Sequence, residues 1–126
     1  MASIVLLHEG VVINKFPVDK RLLRIGRDQD NDIVIDDKVV SLEHAIVEIE
    51  DGPDKKDIKK YYIKDLESTN GTHVNGKKIS RQRLNNNDMI RVGWNTFKFI
   101  EKGERKPEKT LKIHKSWIPR VYYTKE

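Results

Sequence analysis

The sequence predicts an all-β, antiparallel domain, a sandwich or a barrel, on three observations. Residues 1–100 break into about ten short apolar or alternating runs; turn residues separate them; no window keeps helical periodicity for ten residues. Length agrees, since 126 residues allow one domain with little over.

The runs can be taken in order. Residues 4–7, 11–16 and 21–25 come first, punctuated by Glu9-Gly10 and by Pro17 with Asp19. Residues 33–35 follow, then residues 44–50, where Ala45, Val47 and Ile49 share one face at period two. Residues 58–65 are rich in Tyr and Ile, with Tyr61 and Ile63 on one face and Tyr62 on the other. Asn75-Gly76, between residues 72–74 and 77–79, is the strongest hairpin signal in the chain. Residues 88–92 and 96–101 complete the series through Gly93-Trp94-Asn95, and Trp94 reads as turn or core packing. Residues 51–57 and Asn85-Asn86-Asn87 read as exposed turns. Composition shifts at Gly103: residues 104–109 form a charged, Pro-containing linker, after which Leu111, Ile113, Trp117, Ile118 and residues 121–123 restore apolar and aromatic character. The expected division is a domain over residues 1–103 and a basic C-terminal extension over residues 104–126.

Charge follows that division. The chain carries 25 Lys+Arg against 20 Asp+Glu, a net +5. Residues 101–126 hold eight basic and four acidic side chains, net +4; the other 17 basic and 16 acidic residues leave +1 for residues 1–100. A nucleic-acid partner could therefore be served only by the tail. The chain has no cysteine, which excludes a disulfide scaffold, a thiolate zinc site and a cysteine nucleophile. No apolar run approaches the ~20 residues of a membrane helix. Residues 1–9 lack the basic start and the apolar length of a signal peptide. A cytoplasmic protein away from membranes is the expectation.

Little points to catalysis. His8, His44, His73 and His114 are scattered without the i, i+4 spacing of a helical zinc site, and no Gly-rich strand-to-helix loop is present. Ser41 and His44 lie three apart, but a catalytic base usually reaches its nucleophile from another element. No catalytic residue, metal site or cofactor is expected. What remains is a set of polar residues beside strands: Gly26-Arg27, then residues 39–44, then residues 65–72. Alternate loops of an antiparallel sandwich emerge at one end, so these could converge. Together they offer one guanidinium, several hydroxyls, an amide and Gly-flanked backbone N–H groups. Donors with few acceptors complement a single phosphate.

Those residues carry a resemblance. Gly26-Arg27, Ser41-x-x-His44, Ser68-Thr69-Asn70-Gly71-Thr72 and Asn75-Gly76, in this order, resemble the forkhead-associated (FHA) domain family. Asn31-Asp32-Ile33-Val34-Ile35-Asp36 and Leu84-x-x-x-Asp88-x-Ile90-x-Val92-Gly93 extend the match to about residues 3–101. The resemblance implies an FHA/SMAD-like β-sandwich of about eleven short strands. It implies a non-catalytic module binding phosphothreonine in partner proteins in kinase and phosphatase signalling. By the same resemblance Arg27 contacts the phosphate or the ligand backbone beside it. Ser41 and Thr69 give hydroxyls to phosphate oxygens, and Asn70 holds the ligand main chain. His44 props the loops from inside, and Gly26 and Gly71 are backbone requirements. Three positions depart from the pattern: Leu42 adds no donor after the serine, Asn87 stands where glycine is common, and Val39 lies where some members place a charged residue that reads the ligand C-terminal to the phosphothreonine. The alternative function is nucleic-acid binding through the basic tail. A further expectation is self-association through a phosphorylated Thr110 or Thr124, which a tether would favour.

Overall fold

The computed structural model describes residues 2–51, 59–101 and 121–123. These form twelve strands and no helix: β1 (Ala2–His8), β2 (Val11–Val18), β3 (Leu22–Gly26), β4 (Ile33–Ile35), β5 (Ala45–Glu50), β6 (Lys60–Asp65), β7 (Thr72–Val74), β8 (Lys77–Ile79), β9 (Arg81–Leu84), β10 (Met89–Val92), β11 (Asn95–Glu101) and β12 (Val121–Tyr123). Turn chemistry sets the hairpins. Glu9 and Gly10 have φ of 54° and 79°, and Asn75 and Gly76 of 51° and 86°. Paired positive φ values give the turn whose twist matches that of the flanking strands. Asn87, where glycine is common in the family pattern, takes φ 77°, a conformation Asn tolerates better than most side chains.

The strands form two six-stranded sheets, ordered β2-β1-β11-β10-β7-β8 and β12-β4-β3-β5-β6-β9. All pairings are antiparallel except β3 with β4. The two sheets bury their facing residues between them, which settles sandwich over barrel. Along β3, Leu23 and Ile25 point in while Leu22 and Arg24 point out; along β6, Tyr61 and Ile63 point in. Phe16 and Phe97 meet at 6.2 Å between ring centroids, and Tyr61 and Phe99 at 5.3 Å, both tilted. Phe16, Phe97 and Phe99 are fully buried.

Eleven strands lie within residues 2–101, matching the expected number, and β12 is an addition from the C-terminal extension. Val121, Tyr122 and Tyr123 pair with Ile35, Val34 and Ile33, so β12 closes the free edge of β4. One strand, β9, has no counterpart among the runs read from the sequence: Arg81, Gln82 and Arg83 are exposed and only Leu84 reaches the core. It lies at a sheet edge, where charged side chains protect an unpaired ladder from a second chain. No helix among the described residues is long and apolar enough to cross a membrane.

Candidate phosphate-binding site

Loops 27–32, 36–44 and 66–71 come together at one end of the sandwich. Gly26 makes the first junction possible. A β-carbon there would lie 2.2 Å from the Leu42 carbonyl oxygen and 2.8 Å from Asn31 Nδ2, so only glycine lets loop 36–44 lie across the end of β3. The Arg27 amide then donates to the Ser41 carbonyl (3.0 Å) and the Asp28 amide to the Leu42 carbonyl (3.2 Å). Buried Asn31 locks the crossing, its Nδ2 donating to the Asp28 and Leu42 carbonyls at 2.8 Å each.

Arg27 is half-buried, and its Nε donates to the Val40 carbonyl at 2.9 Å. That bond holds the guanidinium against loop 36–44 and leaves both terminal nitrogens without a hydrogen bond among the described residues. Ser41 is the meeting point. Its hydroxyl oxygen accepts from the Thr69 amide at 2.9 Å, its carbonyl holds Arg27, and its amide donates to His44 Nδ1 at 3.0 Å. Because the Ser41 oxygen is an acceptor in the Thr69 bond, its own proton remains available to an incoming acceptor.

His44 is fully buried, with both ring nitrogens engaged. Nδ1 accepts from an amide, so the proton sits on Nε2, which donates to the Gly71 carbonyl at 3.0 Å. One imidazole thus joins loop 36–44 to loop 66–71. Burial pushes its pKa below the ordinary histidine value, opposed by the Gly71 carbonyl and by the charge of Asp65. Asn70 makes a second tie: its Nδ2 donates to the Val39 carbonyl at 2.8 Å. Thr69 and Asn70 are both exposed, and Gly71 takes φ 83°.

The residue that sequence reasoning passed over is Asp65. Its carboxylate accepts from the Ser68 hydroxyl (2.5 Å), the Thr72 hydroxyl (2.7 Å) and the Ser68 amide (3.2 Å), while the Ser68 oxygen accepts from the Gly71 amide (2.9 Å). Burial alone would raise its pKa, but these hydrogen bonds, with a smaller contribution from His44, carry it below the usual carboxylate value. The signal was present as an Asp three residues before a Ser, near enough along the chain for its carboxylate to accept from that residue's amide and hydroxyl. Trp94, expected in turn or core packing, sits in the turn but is 75% exposed, so it packs into no core. Leu42 is also exposed, at 53%; its carbonyl, not its side chain, takes part in the junction. Among the described residues no group of three His, Asp or Glu could hold a metal ion.

The loops thus bring together one uncommitted guanidinium end and the Ser41 hydroxyl, with exposed Thr69 and Asn70 on the adjoining loop, tied together by His44, Asn31 and Asp65. The chain is similar to known proteins in sequence and in fold. The family model described as "FHA domain" matches residues 23–93. The transcriptional regulatory protein EmbR of Mycobacterium tuberculosis (strain ATCC 25618 / H37Rv) is 37% identical over 98 residues, covering 77% of this chain and 24% of EmbR. The chain therefore spans about a quarter of that relative's length. The solved structure of M. tuberculosis EmbR in complex with a low-affinity phosphopeptide superposes with a TM-score of 0.69 at 34% identity, over 84% of this chain and 26% of that one. A structure from work on phosphothreonine-dependent FHA domain interactions has a TM-score of 0.67 at 26% identity, covering 81% of this chain and 97% of the other. On the matched model and this geometry together, the chain belongs to the FHA domain family.

Proposed function

We infer that this FHA domain is a non-catalytic module that binds phosphothreonine in a partner protein or peptide and so reads the output of a kinase. The observation that carries the inference is the state of Ser41. Its carbonyl, amide and hydroxyl oxygen are all engaged in holding the loops, which leaves one hydroxyl proton presented beside an uncommitted guanidinium end. Phosphorylation adds roughly −1.5 to −2 charges and three strong acceptor oxygens. An unmodified threonine offers neither, so the donors would lose water without gaining partners.

In this reading Arg27, Ser41 and Thr69 hold phosphate oxygens and Asn70 holds the ligand main chain. Gly26, His44 and Gly71 support the loops without touching ligand. No group is assigned to bond making or breaking, and no cofactor is required. The binding unit is residues 1–103, residues 104–126 being the extension, and the setting is the cytoplasm. The alternative of nucleic acid bound through the tail has no support in the fold or in the family. Thr110 and Thr124, the expected points of self-association, lie outside the described residues.

Arg27→Ala tests the reading. A charge-assisted hydrogen bond contributes about 1.5–3 kcal/mol, and each 1.4 kcal/mol is tenfold in affinity. Calorimetric titration with a phosphothreonine peptide should show a loss of about tenfold to a hundredfold, while thermal unfolding stays cooperative. Equal affinity in the mutant would remove Arg27 from the site.

A further inference from the structure

Two Asn-Gly pairs occur in this chain, Asn70-Gly71 in the candidate phosphate site and Asn75-Gly76 in the turn between β7 and β8. In such a pair the glycine nitrogen can attack the side-chain amide carbon of the asparagine, because no β-carbon bars the approach. Attack closes a five-membered imide and expels ammonia; water then opens the imide to aspartate or isoaspartate. The fold treats the two pairs differently.

Asn75 is fastened at both ends of its side chain. Its Nδ2 donates to Asp88 Oδ1 at 3.0 Å and its Oδ1 accepts from the Met89 amide at 2.9 Å, while its own amide donates to the Met89 carbonyl at 2.7 Å. Both side-chain bonds must break before the amide carbon can reach Gly76. Asn70 is exposed and has one such bond, Nδ2 to the Val39 carbonyl at 2.8 Å. Its Oδ1 makes no hydrogen bond among the described residues.

The attacking nitrogen beside Asn70 is also prepared. The Gly71 amide donates to the Ser68 hydroxyl oxygen at 2.9 Å, and that hydroxyl donates to Asp65 Oδ1 at 2.5 Å. The hydrogen bonds on Asp65 hold its pKa below the usual carboxylate value, so it is ionised at neutral pH. An amide nitrogen attacks only as its proton leaves, and here the proton has a route. It passes from Gly71 to the Ser68 oxygen as the Ser68 proton passes to Asp65. The bond from the Gly71 nitrogen to Asn70 Cγ forms, the Cγ–Nδ2 bond breaks, and the departing nitrogen takes the proton from Asp65 to leave as ammonia. Ser68 and Asp65 end as they began.

We propose that Asn70-Gly71 is a site of spontaneous deamidation, with Ser68 and Asp65 as its proton relay, and that this self-modification shuts the phosphate site. The product carries a carboxylate where Asn70 carried a neutral donor. An oxygen then faces the Val39 carbonyl in place of an N–H, so loops 36–44 and 66–71 lose that tie. The new negative charge also opposes a ligand bearing roughly −1.5 to −2. The loss of binding rests on the phosphothreonine reading above; the modification itself does not.

The test ages the full chain in warm buffer and follows both pairs by mass spectrometry of its peptides, folded and in urea. In the folded chain Asn70 should convert about two- to tenfold faster than Asn75, the effect of one hydrogen bond fewer to break, and in urea the two rates should converge. Conversion of Asn70 in urea should rise in proportion to hydroxide, and in the folded chain it should vary less with pH because the relay takes the proton. Ser68→Ala should slow Asn70 without changing Asn75, and Ser68→Thr, which keeps the hydroxyl, should restore the rate. The deamidated species, separated by anion exchange, should bind a phosphothreonine peptide at least about tenfold more weakly. Folded Asn70 converting no faster than Asn75, or unslowed by Ser68→Ala, overturns the proposal. Unchanged peptide affinity after conversion overturns the switch if Arg27→Ala still weakens binding. If Arg27→Ala and conversion both leave binding unchanged, the phosphothreonine reading fails and the modification site stands.

Discussion

Replacing Gly26 with alanine should damage the site without touching a single donor. The new β-carbon would be placed 2.2 Å from the Leu42 carbonyl oxygen, against the ~3.3 Å at which a carbon and a carbonyl oxygen come into contact. The obstacle is backbone, which no side-chain rotation relieves. Loop 36–44 must therefore rise by about 1 Å, and the bonds that the crossing holds go with it: Arg27 amide to Ser41, Asp28 amide to Leu42, and Asn31 Nδ2 to Leu42. Three hydrogen bonds at a net ~0.5–1.5 kcal/mol each put the stability loss at about 1.5–4.5 kcal/mol. Ser41 rides on the same loop, so its hydroxyl leaves its place beside Arg27. Urea unfolding gives the first quantity, and titration with a phosphothreonine peptide gives the second. The reasoning is refuted if Gly26→Ala unfolds at the wild-type urea midpoint and binds peptide with the wild-type Kd, because the close crossing would then not constrain the loop.

Three further outcomes follow from the same ties. His44 has a depressed pKa in the folded state, so it stays neutral while the unfolded chain takes up a proton below pH ~6.5. Stability should be full above that pH and fall as the pH drops below it; urea midpoints between pH 8 and 5 should show the decline, and His44→Gln should flatten it. Asp65→Ala leaves the Ser68 and Thr72 hydroxyls without their acceptor, and should cost about 1–3 kcal/mol in stability and weaken peptide binding with every contact residue intact. Truncation after residue 103 removes β12 and uncovers the β4 edge, so the shortened protein should self-associate with rising concentration in light scattering where the full chain does so less.

The parts of this fold that could be read from the sequence are those governed by neighbours in the chain. Asn75-Gly76 and Glu9-Gly10 announce their turns because the backbone signs needed there suit few residues. Ala45, Val47 and Ile49, or Tyr61 and Ile63, show their inward face because a strand alternates. Where the pattern depends on distant partners it is silent. Arg81, Gln82 and Arg83 form a strand only because β6 lies beside them, and nothing in three exposed polar residues says so. Val121, Tyr122 and Tyr123 show no alternation, and their pairing with β4 spans almost ninety positions. The candidate site divides along the same line: Arg27, Ser41, Thr69 and Asn70 stood out through the family pattern, whereas Asp65 acts through an internal turn. Trp94 lies in the turn that the sequence marks, but of the two readings, turn or core, only the turn holds, because a hairpin tip provides nothing to bury against.

The direction of the first and last described strands has a consequence for how this unit can be mounted. β11 leaves the Gly93-Trp94 turn beside Val39 and Val40 and runs down the sandwich to Glu101, opposite Ala2. β12 runs antiparallel to β4, from Val121 beside Ile35, next to the loop that carries Ser41, toward Tyr123 beside Ile33. Ala2 thus sits at the foot of the sandwich, away from loops 36–44 and 66–71, whereas Tyr123 stays beside Ile33, next to loop 27–32. A neighbouring domain or a fluorescent reporter joined at Ala2 would hang from the pole opposite the candidate phosphate site and leave its approach open.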